Sequence, residues 1–302
     1  MSTLQAECPA KVNLVLSITG RRKDGFHELV SLVAPVKLAD TLSIEVVGSG
    51  GVDTLLVSGM GVGESVPADA DNLVLRAARA YREHTDELRQ TSLVFRLQKR
   101  IPAGSGLGGG SSDAATALSL LNQLADSPLD AQALCVLAAS LGSDCPLFLE
   151  GGGSLMRGRG EVLEPLPAAW VDALRGRELL LFRPHFSIHT VWAYQTLAGR
   201  AVGCYTPVPE AETRLGASLE GLDVEGFVPA NDLAAVAFDK YLALPTLLEQ
   251  LRADFGVVTQ MTGSGSACFA LDVRGVGLAA LTRRIREAWG PDAWLCTTHF
   301  NT

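Results

Sequence analysis

The stretch Ile101-Pro-Ala-Gly-Ser-Gly-Leu-Gly-Gly-Gly-Ser-Ser-Asp-Ala-Ala115 carries five glycines between Gly104 and Gly110. Glycine leaves backbone N–H groups unobstructed and admits positive φ. Set ahead of a helix N-terminus, such N–H groups and the helix dipole form a cradle for phosphate. A Walker A loop needs Lys directly after its last glycine, and none follows here. The dinucleotide pattern G-x-G-x-x-G matches at Gly104, Gly106 and Gly109. It also needs a second parallel strand, whereas the helix after the loop runs through Asp126-Ser-Pro-Leu-Asp130 into another helix. A Gly/Ser linker is a poor description of a run set between a strand and a well-formed helix.

Three more segments bear reactive types. In Pro9-Ala-Lys-Val-Asn-Leu-Val-Leu16 an apolar strand is interrupted by Lys11 and Asn13, which share one face at period two. In Leu141-Gly-Ser-Asp-Cys-Pro-Leu-Phe148, Asp144 falls in a turn expected between a helix and an apolar strand, with Pro146 restricting Cys145. Met261-Thr-Gly-Ser-Gly-Ser-Ala-Cys268 is a second glycine loop. Each alone has an ordinary structural explanation: a strand-start Lys, a turn Asp, a hairpin. Basic side chains cluster at Arg21-Arg22-Lys23, Lys99-Arg100, Arg157 and Arg159; Lys99 and Arg100 read as solvated surface residues. His185 and His189 lack a third metal ligand, and Asp254-Phe-Gly256 is a helix end with a glycine cap.

The elements that must position these groups are partly legible. Leu42–Val47 alternates like a half-buried strand and Leu93–Leu97 precedes the glycine loop as another. Asp71-Asn72 caps a helix with the stripe Leu73, Val74, Ala77, Ala78, Tyr81. A helix starts at Ser112 or Asp113, and one through Ala131, Leu134, Ala138 and Leu141 stops at Gly142. Beyond Pro165-Leu-Pro167 come a buried strand Glu178–Phe182, a helix Leu244–Phe255, strands Thr259–Met261 and Ala267–Leu271, a helix through Leu278, Leu281 and Ile285, and a strand Ala293–Thr297. Residues 199 to 226 are rich in Gly and Pro and show no clear period. Two α+β domains are expected, 1–165 and 166–302.

Composition bounds the rest. The chain has 302 residues, 47% hydrophobic, which is ample for a large core. Its net charge of −8 argues against general nucleic-acid binding. No apolar run approaches the length of a membrane span, and no secretory signal stands at the start. Six scattered cysteines without C-x-x-C suggest reduced thiols, hence a cytoplasmic protein. No obligate protein partner is indicated.

Together, in this order and spread over nearly the whole chain, the Pro-x-Lys-x-Asn strand, the Pro-x-Gly-x-Gly-Leu-Gly-Gly-Gly-Ser-Ser loop and the Thr-Gly-x-Gly-x-x-Cys loop resemble the three motifs of the GHMP kinase superfamily. The stretch Ile18-Thr-Gly-Arg-Arg-Lys-Asp-Gly-Phe-His-Glu-Leu29 resembles the branch acting on a cytidine-diphosphate ester in non-mevalonate isoprenoid synthesis, as do Gly142–Phe148 and Gly158-Arg-Gly-Glu161. The resemblance implies a two-lobed α+β fold with an active-site cleft between the lobes, the glycine-rich ATP loop and Lys/Asp pair in the first domain and the third-motif loop in the second. It implies an ATP-dependent kinase, with Mg²⁺, that phosphorylates a hydroxyl of a small molecule. By the same resemblance Lys11 and Asp144 are catalytic. Pro102, Ala103, Gly104, Ser105, Gly106, Leu107, Gly108, Gly109, Gly110, Ser111 and Ser112 wrap the ATP phosphates, with Ser111 or Ser112 within reach of Mg²⁺ or a phosphate, and Asn72 borders adenine. Asn13, Phe26, His27, Tyr194, Gly263 and Gly265 meet the acceptor, Phe26 standing where many members have Tyr. The metal ligands are not identified by it. Other kinases of the superfamily, or a non-catalytic nucleotide-binding regulator on the same fold, are the rival functions.

Overall fold

Two long strands open the chain. β1 (Thr3–Arg21) alternates in exposure at first and is then almost continuously buried from Cys8 to Leu16. β2 (His27–Ser49) is buried through Leu29–Val36 and again at Leu42 and Ile44. The two are hydrogen-bonded neighbours. The sequence signalled only Leu42–Val47 of β2, because its first half lies covered on both faces and has no alternation to read. The computed structural model describes residues 3–50, 52–60, 66–200, 203–220, 227–271 and 273–302.

The chain forms two compact units. One comprises residues 1–10, 38–103 and 108–151, the other 11–37, 104–107 and 152–302. This differs from the expected contiguous split at residue 165. The physical reason is that β1 and β2 each run through both units, so the boundary cuts strands rather than falling in a linker.

In the first unit β3 (Thr54–Gly59) pairs in parallel with β4 (Thr91–Lys99), which pairs antiparallel with β2, Leu42 opposite Leu97 and Ile44 opposite Phe95. Helix α1 (Leu73–Thr85) is capped as predicted: the Asn72 side-chain oxygen accepts from Val74 N at 2.9 Å, and Val74, Ala77, Ala78 and Tyr81 turn inward. Helix α2 (Gly109–Leu124) begins three residues before the expected Ser112. Glycines are poor helix formers, but a Cβ at Gly109 would sit 3.0 Å from Ile101 Cγ2, so close packing selects them. α3 (Ala131–Leu141) ends at Gly142 as expected. The expected strand after Asp144 is instead a short helix, α4 (Cys145–Glu150), with Asp144 at its N-cap. Pro146 is compatible with a first helical turn, whose N–H groups have no helical acceptor.

In the second unit β2 pairs with β5 (Ser154–Arg157) and β5 with β6 (Val162–Pro165). After α5 (Ala168–Leu174), β7 (Glu178–Arg183) enters a separate antiparallel sheet. Helices α6 (Thr190–Ala198) and α7 (Val208–Glu220) follow. Thus the span 199–226 is not all irregular, as expected, but contains α7; residues 201–202 and 221–226 lie outside the described residues. Strand β8 (Ala230–Asn231) runs parallel to β1, with Val15 opposite Ala230, and leads into α8 (Asp232–Lys240) and α9 (Ala243–Phe255). β9 (Val258–Met261), β10 (Cys268–Leu271), α10 (Leu278–Trp289) and β11 (Trp294–His299) complete the chain, the second sheet running β11-β7-β10-β9. All six cysteines are free thiols. Among the described residues no helix is long and apolar enough to cross a membrane.

One partly buried ion pair stitches the first unit. Arg82 of α1 grips the Asp53 carboxylate with both terminal nitrogens and also donates to the carbonyls of Leu88 and Thr91, while Leu93 N donates to Asp53. Replacing Asp53 by Ala leaves the guanidinium without its carboxylate and the Leu93 N–H without its acceptor. The expected loss is about 1.5–3 kcal/mol, the usual scale for hydrogen bonds to a charged group, and urea denaturation of Asp53→Ala beside wild type measures it.

Candidate active site

The second unit brings segments of the three motifs into direct contact. Lys11 N donates to Leu107 O at 3.0 Å, Ala267 N donates to Ser105 O at 3.0 Å, and Asn13 N donates to Thr262 Oγ1 at 2.8 Å. Lys11 and Asn13 share a face, as the period of two predicts: Lys11 Nζ donates to Asn13 Oδ1 at 2.6 Å. Asn13 Nδ2 donates to Ser31 Oγ at 2.9 Å, and the Ser31 hydroxyl to Val15 O. That relay fixes which end of the amide faces the ammonium. The approach is close enough to demand glycine. At Gly106 (φ 79°) a Cβ would lie 2.4 Å from Thr262 O, and at Gly263 (φ 56°) one would lie 2.8 Å from Gly106 O and 3.3 Å from Lys11 Nζ. At Gly265 it would meet Met261 Sδ at 2.6 Å.

Asn231 completes this arrangement and was not picked out from the sequence. Its Nδ2 donates to the carbonyls of Met261 and Gly263, both at 2.8 Å, while its Oδ1 caps α8 at Leu233 N. Asn-Asp before an apolar helical run is a legible N-cap signal; its second task, holding a loop 30 residues away, is not legible.

The first unit holds the remainder of the glycine loop, Pro102, Ala103 and Gly108 to Ser112. Gly108 (φ 75°) turns the chain into α2, with no side-chain cap on that helix. Ser111 hydrogen-bonds the Cys145 thiol, so the loop's serines and the Asp144 turn are neighbours. The Ser112 hydroxyl is fully buried without a hydrogen-bond partner. Asn72 is committed at both ends of its amide: besides capping α1 it donates to Pro67 O at 2.6 Å.

Lys99 overturns its expected solvation. It is 4% exposed and pairs with two buried carboxylates, Asp40 and Asp113. Asp40 also accepts from Arg100 N and Ile101 N, so it fixes the backbone as it enters the glycine loop. The alternation of β4 places Lys99 inward, which the pair Lys-Arg had disguised as a surface dibasic. Burial alone lowers an ammonium pKa, but Asp113 and Asp40 outweigh it and raise that of Lys99. One cation serves two carboxylates. Burial raises Asp113 to about 7, with Asp40 adding to the rise against the pull of Lys99.

A third group lies in the second unit. The His27 and Tyr194 rings meet at 4.9 Å between centroids, and Tyr205 lies 6.0 Å from His27. Burial, then the nearby Arg21 cation, lowers the His27 pKa and so favours the neutral imidazole. His27 Nε2 is buried and has no hydrogen-bond partner. Phe26 is half exposed, with the Arg159 guanidinium 4.9 Å above its ring. Tyr205 lies in the span that showed no sequence period. Among the described residues no cluster of three or more His, Cys, Asp or Glu forms a metal cage.

Interlocked glycine loops on this fold define a class. Residues 72–152 match the GHMP kinases N terminal domain. Homoserine kinase from Cytophaga hutchinsonii, 17% identical, shares the fold with a TM-score of 0.73 over 100% of this chain and 96% of that one. A crystal structure of 4-(cytidine 5'-diphospho)-2C-methyl-D-erythritol kinase superposes with the same TM-score at 37% identity, covering 98% of this chain and 99% of the other. A 4-diphosphocytidyl-2-C-methyl-D-erythritol kinase of Methylorubrum extorquens is 40% identical across 96% of this chain and 97% of its own length. That of Methylacidiphilum infernorum is 38% identical across 87% and 84%. The chain belongs to the 4-diphosphocytidyl-2-C-methyl-D-erythritol kinase family.

Two outcomes test this geometry. Gly106→Ala forces a Cβ against Thr262 O, and calorimetric titration should register lost ATP affinity with little change in far-UV circular dichroism. For Asp113, a folded pKa raised from 3.8 to about 7 means the folded state holds a proton that the unfolded state has released. The associated stability is present below pH 4 and is lost as pH rises to about 7. Asp113→Asn mimics the protonated acid, so its melting temperature relative to wild type should be more favourable at pH 8 than at pH 5.

Proposed function

We propose that this chain transfers the γ-phosphoryl of ATP to the 2-hydroxyl of 4-diphosphocytidyl-2-C-methyl-D-erythritol, a step of non-mevalonate isoprenoid precursor synthesis. The observation that carries this most is the contact of the three motif segments: Leu107 on Lys11, Ser105 on Ala267, Thr262 on Asn13. The names of relatives aligned over nearly their full length supply the acceptor.

The roles follow the chemistry of phosphoryl transfer, which needs positioning and charge neutralisation more than covalent help. Asp144 takes the proton of the attacking hydroxyl. Lys11 supplies positive charge to the reacting oxygens, its ammonium directed by Asn13. Asn13 also meets the methylerythritol group. Backbone N–H groups from Gly104 to Ser112 bind the phosphates, and Gly263 and Gly265 let the third-motif loop approach them. Asn72 borders the adenine through the backbone turn it stabilises, since both ends of its amide are engaged.

Mg²⁺ accompanies the nucleotide. The donor set suits it: Mg²⁺ retains water and phosphate oxygens and needs few protein ligands, and the partnerless Ser112 hydroxyl lies in the first turn of α2. When bound, the ion neutralises phosphate charge. At the cytidine end, neutral His27 reads the base edge, Tyr194 gives a stacking face and Phe26 a second. Stacking is worth about 1–3 kcal/mol per base. Six free thiols fit a reducing compartment, and the cytoplasm is the location we assign.

The test is ATP turnover with Mg²⁺ and 4-diphosphocytidyl-2-C-methyl-D-erythritol, beside mevalonate, galactose and homoserine. Stimulation by the cytidine compound alone, with a phosphorylated product by mass, is expected. Stimulation by another acceptor, or by none while ATP still binds, overturns the assignment. Asp144→Asn should lower turnover by roughly 10²–10⁴, the scale of a positioned base, while ATP affinity stays near wild type. Near-normal turnover would remove Asp144 from its role.

A further inference from the structure

We infer that Tyr205 is a positioning residue for substrate recognition: its ring holds the His27 imidazole in the orientation that presents Nε2 to the acceptor's base. This rests on the assignment of His27 as the base reader.

An imidazole whose buried Nε2 has no protein partner gains no orientation from that atom. Packing must restrict its ring instead, and broad two-fold χ2 wells make that restriction necessary. Two aromatic rings are in place to supply it. Tyr194, on α6, is 4.9 Å away at 35°, and Tyr205 is 6.0 Å away at 51°. Tyr194 is the ring assigned to stack on the base, so its contacts change when substrate arrives. Tyr205 is the ring left to hold His27 throughout.

Tyr205 is itself held. Thr206 N donates to Ile18 O at 2.9 Å, and Thr206 Oγ1 donates to Asp232 Oδ2 at 2.8 Å. The same carboxylate oxygen accepts from Ile18 N at 2.7 Å, while Asp232 Oδ1 accepts from Arg214 Nη1 at 2.9 Å. Arg214 Nη1 also reaches Ser17 Oγ at 3.1 Å. One side chain from the first turn of α8 therefore clamps the Tyr205 segment onto β1, the strand that leads through Arg21 to His27. A surface loop with no other task has little use for a charged, three-donor anchor. The Tyr205 ring is partly buried, which raises its own pKa, and it packs on the His27 ring. The charge acting on His27 is that of Arg21.

The experiment uses full-length Tyr205→Ala, Tyr205→Phe and Thr206→Val beside wild type, with two readouts. Steady-state kinetics give KM for the cytidine substrate, KM for ATP and kcat. Histidine titration by NMR, assigned with His27→Gln, follows the imidazole without substrate. Tyr205→Ala should raise KM for the cytidine substrate about three- to tenfold, the scale of one aromatic contact, with kcat and KM for ATP within twofold. It should also move the His27 titration up toward that of an exposed histidine. Tyr205→Phe, which keeps the ring, should restore both values, and Thr206→Val should shift both in the same direction by less. An unmoved His27 titration in Tyr205→Ala overturns the proposal, as does an equal loss in kcat and in both KM values. If wild type phosphorylates no cytidine substrate, the kinase assignment fails. The histidine titration then still decides whether Tyr205 holds His27. Should Tyr205→Ala fail to fold, Tyr205→Leu replaces it in both readouts.

Discussion

The glycine loop is anchored at its entry by a buried carboxylate. Asp40 is fully buried and accepts from Lys99 and from the backbone of Arg100 and Ile101. An unpaired buried anion would be prohibitively costly, and an unpaired buried ammonium likewise. Each therefore requires the other, and the chain between them is fixed as a by-product. The loop leaves this anchor with its direction set. Asp113, on α2, ties the helix that follows the loop to the same ammonium. A flexible, entropy-rich sequence is thus clamped at both ends by one cation.

Beyond the clamp, the loop is held by its own backbone. Its carbonyls at Ser105 and Leu107 accept from Ala267 and Lys11. Interlocking of this kind leaves no room for side chains, which is why the residues in contact at Gly106 and Gly263 are glycines. Directional support for Lys11 comes from Asn13, itself held by Ser31.

Local signals in the sequence carried the elements whose chemistry is local. The Asn72 cap, the stripe through Tyr81, the stop at Gly142 and the turn from Thr262 to Ser266 were all legible, as was the shared face of Lys11 and Asn13. The failures share a different cause. Lys99 looked like a surface residue because its partners lie 59 and 14 positions away, and only the fold brings them together. Asn231 and Tyr205 were passed over for the same reason. The strand expected after Asp144 became α4, because a short apolar run near a proline suits either state. The discontinuous make-up of the two compact units was not legible either, because β1 and β2 run through both without a turn-rich stretch to mark the passage.

The hydrogen bond between Asn13 and Thr262 spans 249 positions. Val15 and Leu16 likewise pair with residues beyond 229. On a ribosome adding about 5–20 residues per second, the first strand therefore waits roughly 12–50 s for partners that do not yet exist. During that interval β1 can pair with β2, but its other edge and the Thr262 partner of Asn13 are still missing. Vectorial synthesis thus sets an order of assembly: α1 to α4 and their strands can pack early, while the lysine's surroundings close only after the last fifth of the chain has emerged. A nascent or truncated chain lacking that last fifth would keep the Lys11 contacts to Asn13 and Leu107 but lack the loop whose Thr262 hydroxyl accepts from Asn13 N, so the meeting of the three motif segments is a late event of synthesis.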